Sequence, residues 1–277
     1  YNFQELKKIL EEKGHRFSSH SDTEVIIHGY EEWGVDCLKK LNGMFAFALW
    51  DTTKKSLLLV RDRLGIKPLY YKIHKGRLLF ASEIKALHKY TEQINTINKQ
   101  AIDNFLTLRY VPGPESIFNE VSKLQPAHYL ICNKKGIEIK KYWELKMQPE
   151  EQSKDYFAQQ LRQQLENSVK MQLQSDVPVG AFLSGGIDSS AIVAYMAKNT
   201  PEQVHTFSVS FSNETRDKDL SYAKLVAEKF NTDHKEIIVE RDSISLLPKI
   251  VRAMDEPFSD PAAIPTYLLA KETKQHA

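Results

Sequence analysis

Val179-Gly180-Ala181-Phe182-Leu183-Ser184-Gly185-Gly186-Ile187-Asp188-Ser189-Ser190-Ala191-Ile192-Val193-Ala194-Tyr195-Met196-Ala197 decides the fold of the second half of this chain. An apolar strand-like run, Val179 to Leu183, enters a Gly/Ser loop, and an apolar helix-like run, Ala191 to Ala197, leaves it. That order suits a phosphate grip, because loop N–H groups and a helix N-terminus converge on one anion. The two glycines let the backbone approach closely and reach φ > 0. Ser184, Ser189 and Ser190 add hydroxyl donors. Asp188 cannot hold phosphate directly, so a carboxylate there suggests a bridging Mg²⁺. Taken alone, Gly-Gly is also an ordinary tight turn, and Asp or Ser at a helix start is ordinary capping. No Gly-Lys-Ser/Thr follows, so the lysine that would reach the β/γ-phosphates is absent. The loop therefore points away from γ-phosphoryl transfer and toward pyrophosphate as a leaving group.

The surrounding pattern supports a nucleotide site. Phe157, Leu161, Leu165, Val169 and Leu173 recur at i+4 and predict a long helix with a buried stripe. After the loop and its helix, Thr206 to Phe211 reads as a strand, Leu220 to Phe230 as a helix and His234 to Val239 as a strand. Ser243 to Met254 reads as a further helix. This alternation predicts a parallel, doubly wound sheet, in which ligands sit at the C-terminal strand ends. Backbone near Val209 and Ser210 should line the same crevice and could meet a base. Asp255-Glu256-Pro257 and Asp260-Pro261 read first as a Pro-rich turn with solvated acids.

The first half reads differently. Asn2 with Glu5 is a capping-box-like start to a helix with an apolar stripe of Phe3, Leu6, Ile9 and Leu10, closed at Gly14. Ser21-Asp22-Thr23-Glu24 opens a second helix through Tyr30. Strand-like runs follow at Met44 to Trp50, Leu57 to Arg61, Leu69 to Ile73 and Arg77 to Ala81, with a hairpin about Lys75-Gly76. A helix near Asn98 to Leu108 precedes a second hairpin, Ala127 to Cys132 and Ile137 to Tyr142. Helices with antiparallel strands predict an α/β layered domain. Asp22 reads first as a helix-start carboxylate and, more sharply, as a partner for a substrate ammonium. Arg61, Asp62, Arg63 and Lys67 read first as loop charges. Gln148 to Lys154, polar and charged, is a linker candidate.

Composition sets the frame. The 277 residues are 42% hydrophobic and 27% charged, with net charge +2, as expected of a globular protein of about two domains. That charge gives no electrostatic case for nucleic acid or an anionic membrane. No run approaches a membrane span and no signal peptide is visible. Cys37 and Cys132 form no metal-type spacing and read as reduced cytosolic packing residues. The chain begins Tyr-Asn-Phe on a helix signal and ends inside another, so both ends read as cut.

The motifs resemble those of the glutamine-hydrolysing asparagine synthetases. The residues that carry the likeness are Phe182 to Ser190, Asp255-Glu256-Pro257-Phe258-Ser259-Asp260-Pro261 and Ile264-Pro265-Thr266-Tyr267-Leu268. In the first half they are Ser21 to Val25, Leu41-Asn42-Gly43-Met44-Phe45-Ala46-Phe47-Ala48, Arg61 to Tyr71 and Phe80 to Leu87. The likeness runs the length of the chain in one order. It implies a partial Ntn-type α/β sandwich glutaminase domain over 1–148. The first part of a parallel doubly wound ATP-pyrophosphatase domain would follow over 149–277. It further implies that ammonia from glutamine displaces AMP from an adenylated aspartate β-carboxylate, with ATP and Mg²⁺ as cofactors, in the cytoplasm. Glutamine, aspartate and ATP are then the small-molecule partners.

Carried over by position, Phe182, Ser184, Gly185, Gly186, Asp188, Ser189, Ser190 and Val209 bind ATP, Asp188 holds the metal, and Asp22 binds the α-amino group of glutamine. Arg61 to Tyr71 becomes scaffold around the glutaminase pocket. The family's N-terminal cysteine nucleophile has no counterpart here, and internal Cys37 has no free amine beside it. Tyr1-Asn2 resemble the end of the family's Tyr-Asn-Gly-Glu-Ile-Tyr-Asn, so the oxyanion-hole Asn-Gly is missing. The later Ser-Gly-(Asp/Glu)-Gly segment and the lysine chemistry beyond it are missing too. No catalytic residue is therefore assigned, and the 277 residues are expected to turn over neither substrate. A relative acting on another carboxylate or a surface saccharide, or a chain that only binds nucleotide, are the alternatives. Neither half shows a repeat or heptad, so self-association stays open.

Overall fold

The computed structural model describes residues 1–277 apart from 92–95, 212–217, 240 and 276–277. Its contacts divide the chain into two units, Tyr1–Gln148 with Met254–Ser259 and Pro149–Ala253 with Asp260–Ala277. Each is α/β.

The first unit opens with helices α1 (Phe3–Glu12) and α2 (Asp22–Trp33), followed by a 3₁₀ turn, Gly34–Asp36, and the short α3 (Cys37–Lys40). Leu6 and Leu10 of α1 pack on Val25 of α2, with Phe3, Phe17, Trp33 and Leu41 around them. Strands β1 (Ala46–Asp51), β2 (Ser56–Arg61), β6 (His128–Asn133) and β7 (Gly136–Lys141) form one antiparallel sheet in the order β1-β2-β6-β7. Leu58, Leu59 and Val60 are almost fully buried, as an unbroken apolar run on a strand paired along both edges should be. β7 lies at the sheet edge and is exposed throughout. A second antiparallel sheet, ordered β4-β3-β5, comprises β3 (Tyr70–His74), β4 (Arg77–Ala81) and β5 (Ser122–Lys123). Helices α4 (Ile84–Thr91) and α5 (Lys99–Leu108) complete the unit. The Asn98 side chain caps α5 by accepting Ala101 N–H at 3.2 Å.

Two expectations for this unit fail. Asn2 makes no side-chain cap on α1. Its amide instead donates to Lys40 O at 3.0 Å and accepts Asn42 N–H at 2.9 Å, so a distant backbone outcompetes the local cap. Of the acids after α9 (Leu247–Met254), Asp260 is exposed as expected, but Asp255 and Glu256 are not solvated. Asp255 and Glu256 have side chains only 7% and 12% exposed and satisfy backbone and side-chain donors of this unit.

In the second unit α6 (Lys154–Gln172) precedes β8 (Gly180–Phe182), α7 (Ile187–Asn199), β9 (His205–Phe211), α8 (Lys218–Lys229) and β10 (Asp233–Val239). The sheet is parallel in the order β10-β9-β8. Leu183 and Val193 pack against Ala223 and Ala227 of α8. Near the other end of α7, Met196 meets Val169 and Val204. The stripe on α6 is buried only toward its C-terminus. Val169 is 6% exposed, whereas Phe157 and Leu161 are 46% and 68% exposed, because the described contacts join α6 to α7 through its last turns. Residues 241–246 form a 3₁₀ turn rather than the start of the expected helix, and α10 (Ala263–Thr273) closes the unit. No helix among the described residues is long and apolar enough to cross a membrane.

Candidate functional site

The Ser184–Ser190 loop sits at the C-terminal edge of the parallel sheet. Register places Phe182 beside Phe207, and Leu183 N–H donates to Phe207 O at 2.8 Å. The buried Ser208 hydroxyl donates to Leu183 O, which ties the loop's entry to β9. Val209 follows on β9, paired with Ile237, at the same edge. Structure thus gathers Phe182, the loop and Val209 on one side of the sheet.

The loop is held by its own hydroxyls. Ser189 Oγ lies 3.0 Å from Ser184 Oγ and accepts Ser184 N–H at 3.2 Å. Ser190 Oγ donates to Gly186 O at 2.7 Å. Gly185 has φ +77°, a conformation a side chain would strain. Gly186 precedes α7 and no side chain caps the helix start by a hydrogen bond. The first-turn N–H groups of Ile187, Asp188 and Ser189 have no carbonyl inside the helix to bond. Ile187 is 85% exposed, and Asp188 is exposed with no partner among the described residues. An open helix start with free N–H groups and an unpaired carboxylate fits an anion bridged by a hard divalent cation. Beside it, Phe182, Ser189, Ile192, Met196, Val169 and Leu173 are among the lining of a recess of about 290 Å³.

Asp22, in the other unit, opens α2. The preceding Ser21 accepts Thr23 N–H at 3.2 Å as the cap, which leaves the Asp22 carboxylate exposed with the Thr23 hydroxyl at 3.4 Å. Tyr1 N donates to Asn42 O at 2.9 Å.

Arg61 and Asp62 are more than loop charges. Arg61 donates to the carbonyls of Lys67, Leu124 and Gly65 at 2.9, 2.7 and 2.7 Å. Burial lowers its pKa. Asp62 is 1% exposed and accepts the N–H groups of Leu64, Ile66 and Lys67 at 3.1, 3.0 and 2.9 Å. Both side chains organise one turn. Asp62 with Gly65 three residues later was the available signal for such a side-chain-organised turn. Cys37 is 3% exposed, and burial pushes its thiol up to about 11. It is a core residue of a cluster with Leu38, Leu58, Val60, Tyr129 and Tyr142.

Comparison with known proteins agrees with both halves. Residues 1–143 match the glutamine amidotransferase domain family, and residues 160–277 match the asparagine synthase family. The chain is 38% identical to asparagine synthetase [glutamine-hydrolyzing] 1 of Bacillus subtilis, over 100% of the chain and 44% of that protein. It is 37% identical to a putative asparagine synthetase [glutamine-hydrolyzing] 2 of Methanocaldococcus jannaschii, over 99% of the chain and 54% of that protein. The chain thus spans about half the length of the curated relatives it matches. A solved glutamine phosphoribosylpyrophosphate amidotransferase from B. subtilis, complexed with ADP and GMP, aligns at 15% identity and TM-score 0.38, over 86% of this chain and 59% of that one.

Proposed function

Because the chain belongs to the glutamine amidotransferase domain family over residues 1–143 and matches the asparagine synthase family beyond it, we propose that it serves glutamine-dependent synthesis of asparagine from aspartate. The observation that carries this reading is the open Ser184–Ser190 loop at the C-terminal edge of the β8–β9 pair, with free first-turn N–H groups and the unpaired Asp188.

A carboxylate is a poor acyl electrophile, and adenylation supplies it with a leaving group. In this reading the N–H groups of Ile187, Asp188 and Ser189 and, once turned from their contacts within the loop, the hydroxyls of Ser184, Ser189 and Ser190 hold the phosphates of ATP. Gly185 lets the backbone come close. Phe182 and Val209 offer backbone to the nucleotide at the sheet edge. Asp188 would hold Mg²⁺, which supplies charge neutralisation for departing pyrophosphate. In the first unit, Asp22 receives the α-ammonium of glutamine. None of the 277 residues is assigned as the nucleophile that attacks glutamine, since the Cys37 thiol is buried and protonated at neutral pH. The 277 residues alone are therefore expected to release no ammonia from glutamine.

The test is pyrophosphate exchange by the native gene product. With Mg-ATP and aspartate it should exchange labelled pyrophosphate into ATP, and Asp188→Ala should abolish the exchange. Exchange that ignores aspartate would overturn the assigned acceptor.

A further inference from the structure

Two histidines and a glutamate converge where the segment after α1 meets α2. His15 Nδ1 lies 3.2 Å from His28 Nδ1, and Glu31 Oε2 stands 3.1 Å from the latter and 3.8 Å from the former. Three ligand atoms held about 2.0–2.1 Å from a tetrahedral ion stand roughly 3.3 Å apart, close to this triangle. The imidazoles are largely buried, with side chains 16% and 18% exposed, while Glu31 is 58% exposed and leaves one side open. Phe17 packs edge-on against His28, with ring centroids 4.5 Å apart.

The outer nitrogens add an independent observation. His15 Nε2 faces Glu32 Oε2 at 3.3 Å, and His28 Nε2 faces Glu24 Oε1 at 3.5 Å. A carboxylate facing the far nitrogen is the usual second layer of a metal-binding histidine and favours the tautomer that leaves the near nitrogen a lone pair; at His15 it is a hydrogen bond and at His28 a longer ion-pair contact. Both carboxylates are themselves anchored. Glu32 is paired with Lys13 at 2.8 Å, and Glu24 accepts the Ser18 and Ser19 N–H groups at 2.7 Å each. In the tautomers with both protons on the outer nitrogens, two imidazole nitrogens and a carboxylate oxygen face one another at 3.1–3.8 Å. A cation in the middle resolves that repulsion.

We propose that His15, His28 and Glu31 bind a divalent transition ion of the zinc class, with Glu32 and Glu24 orienting the imidazoles. Two imidazoles and one carboxylate with an open fourth position suit Zn²⁺ and Co²⁺. The ion would pin the end of α1 to α2.

The experiment titrates zinc chloride into the untagged, chelator-stripped 277-residue chain by calorimetry, and repeats the titration with cobalt, read by its visible absorption. Saturable binding of one zinc per chain is expected, with cobalt bands of four-coordinate intensity. His28→Ala should abolish binding. Glu31→Gln changes an exposed side chain and tests the site without threatening the fold; it should weaken binding by about tenfold or more. His74→Ala, on the β3–β4 hairpin, should change nothing. Absence of saturable one-to-one binding, as when a proton alone bridges the triangle, would overturn the proposal. So would undiminished affinity in Glu31→Gln and His28→Ala.

Discussion

The Asp255 carboxylate accepts the backbone N–H of Ile84 at 2.6 Å and so caps α4 from 171 positions away in the sequence. It also pairs with Lys85 at 3.1 Å. Next to it, Glu256 accepts Ile117 N–H at 3.0 Å and the Tyr70 hydroxyl at 3.2 Å, and pairs with Lys123 at 2.8 Å. Removing one partner of a buried charged hydrogen bond costs about 1–3 kcal/mol. Asp255→Ala should therefore accelerate amide hydrogen exchange in the peptide containing Ile84 by roughly tenfold or more, since about 1.4 kcal/mol is one decade. Asp255→Asn, which keeps an acceptor, should do less. Unchanged exchange in Asp255→Ala would show that the contact holds nothing.

Gly65 closes the turn that Arg61 and Asp62 organise. Its φ is +67°, and an added Cβ would stand 2.7 Å from Pro126 Cγ and 3.1 Å from the Arg61 guanidinium. Gly65→Ala combines backbone strain with a clash, so a loss of about 2 kcal/mol or more is expected. A urea titration followed by tryptophan fluorescence checks it. Wild-type stability in Gly65→Ala would mean that the turn can rearrange freely.

Cys37 should behave as a buried thiol. Its pKa is raised from 9.0 to about 11 by burial, with Asp36 adding to the rise. At pH 8 it should resist iodoacetamide in the folded chain and react once urea unfolds it, as intact-mass measurement would show. The linkage has a definite sign. A folded pKa above the unfolded one leaves stability unaffected below pH 9 and lowers it from pH 9 toward about 11, because the unfolded chain releases a proton that the folded chain keeps. Cys37→Ala should remove that part of the alkaline slope.

Much of this was legible in the chain itself. The apolar run within Arg77 to Ala81 and the Lys75-Gly76 turn are local signals, and the β3–β4 hairpin follows them. The strand, glycine loop and helix around Ser184 to Ser190 were readable because all three obey short-range rules of period and backbone freedom. What was not legible depends on distant partners. Nothing near Ile84 announces that its cap is Asp255. The spacing of Phe157 and Leu161 signals an apolar face but not whether a neighbour covers it, and both are exposed. His15 and His28 are unremarkable apart in sequence and meet only because α1 and α2 pack together. Asp62 looked like a solvated charge, and its role appears only when Leu64, Ile66 and Lys67 turn their N–H groups inward.

The most direct test of the central claim is Mg-ATP binding to the 277-residue chain, measured by isothermal titration calorimetry with pyrophosphate as competitor. Saturable binding should appear, be displaced by pyrophosphate, and weaken about tenfold or more in Gly185→Val, which strains the loop, and in Asp188→Ala, which removes the metal carboxylate. Binding that pyrophosphate leaves untouched, or that both variants retain in full, would contradict the assignment of Ser184 to Ser190 as the pyrophosphate grip.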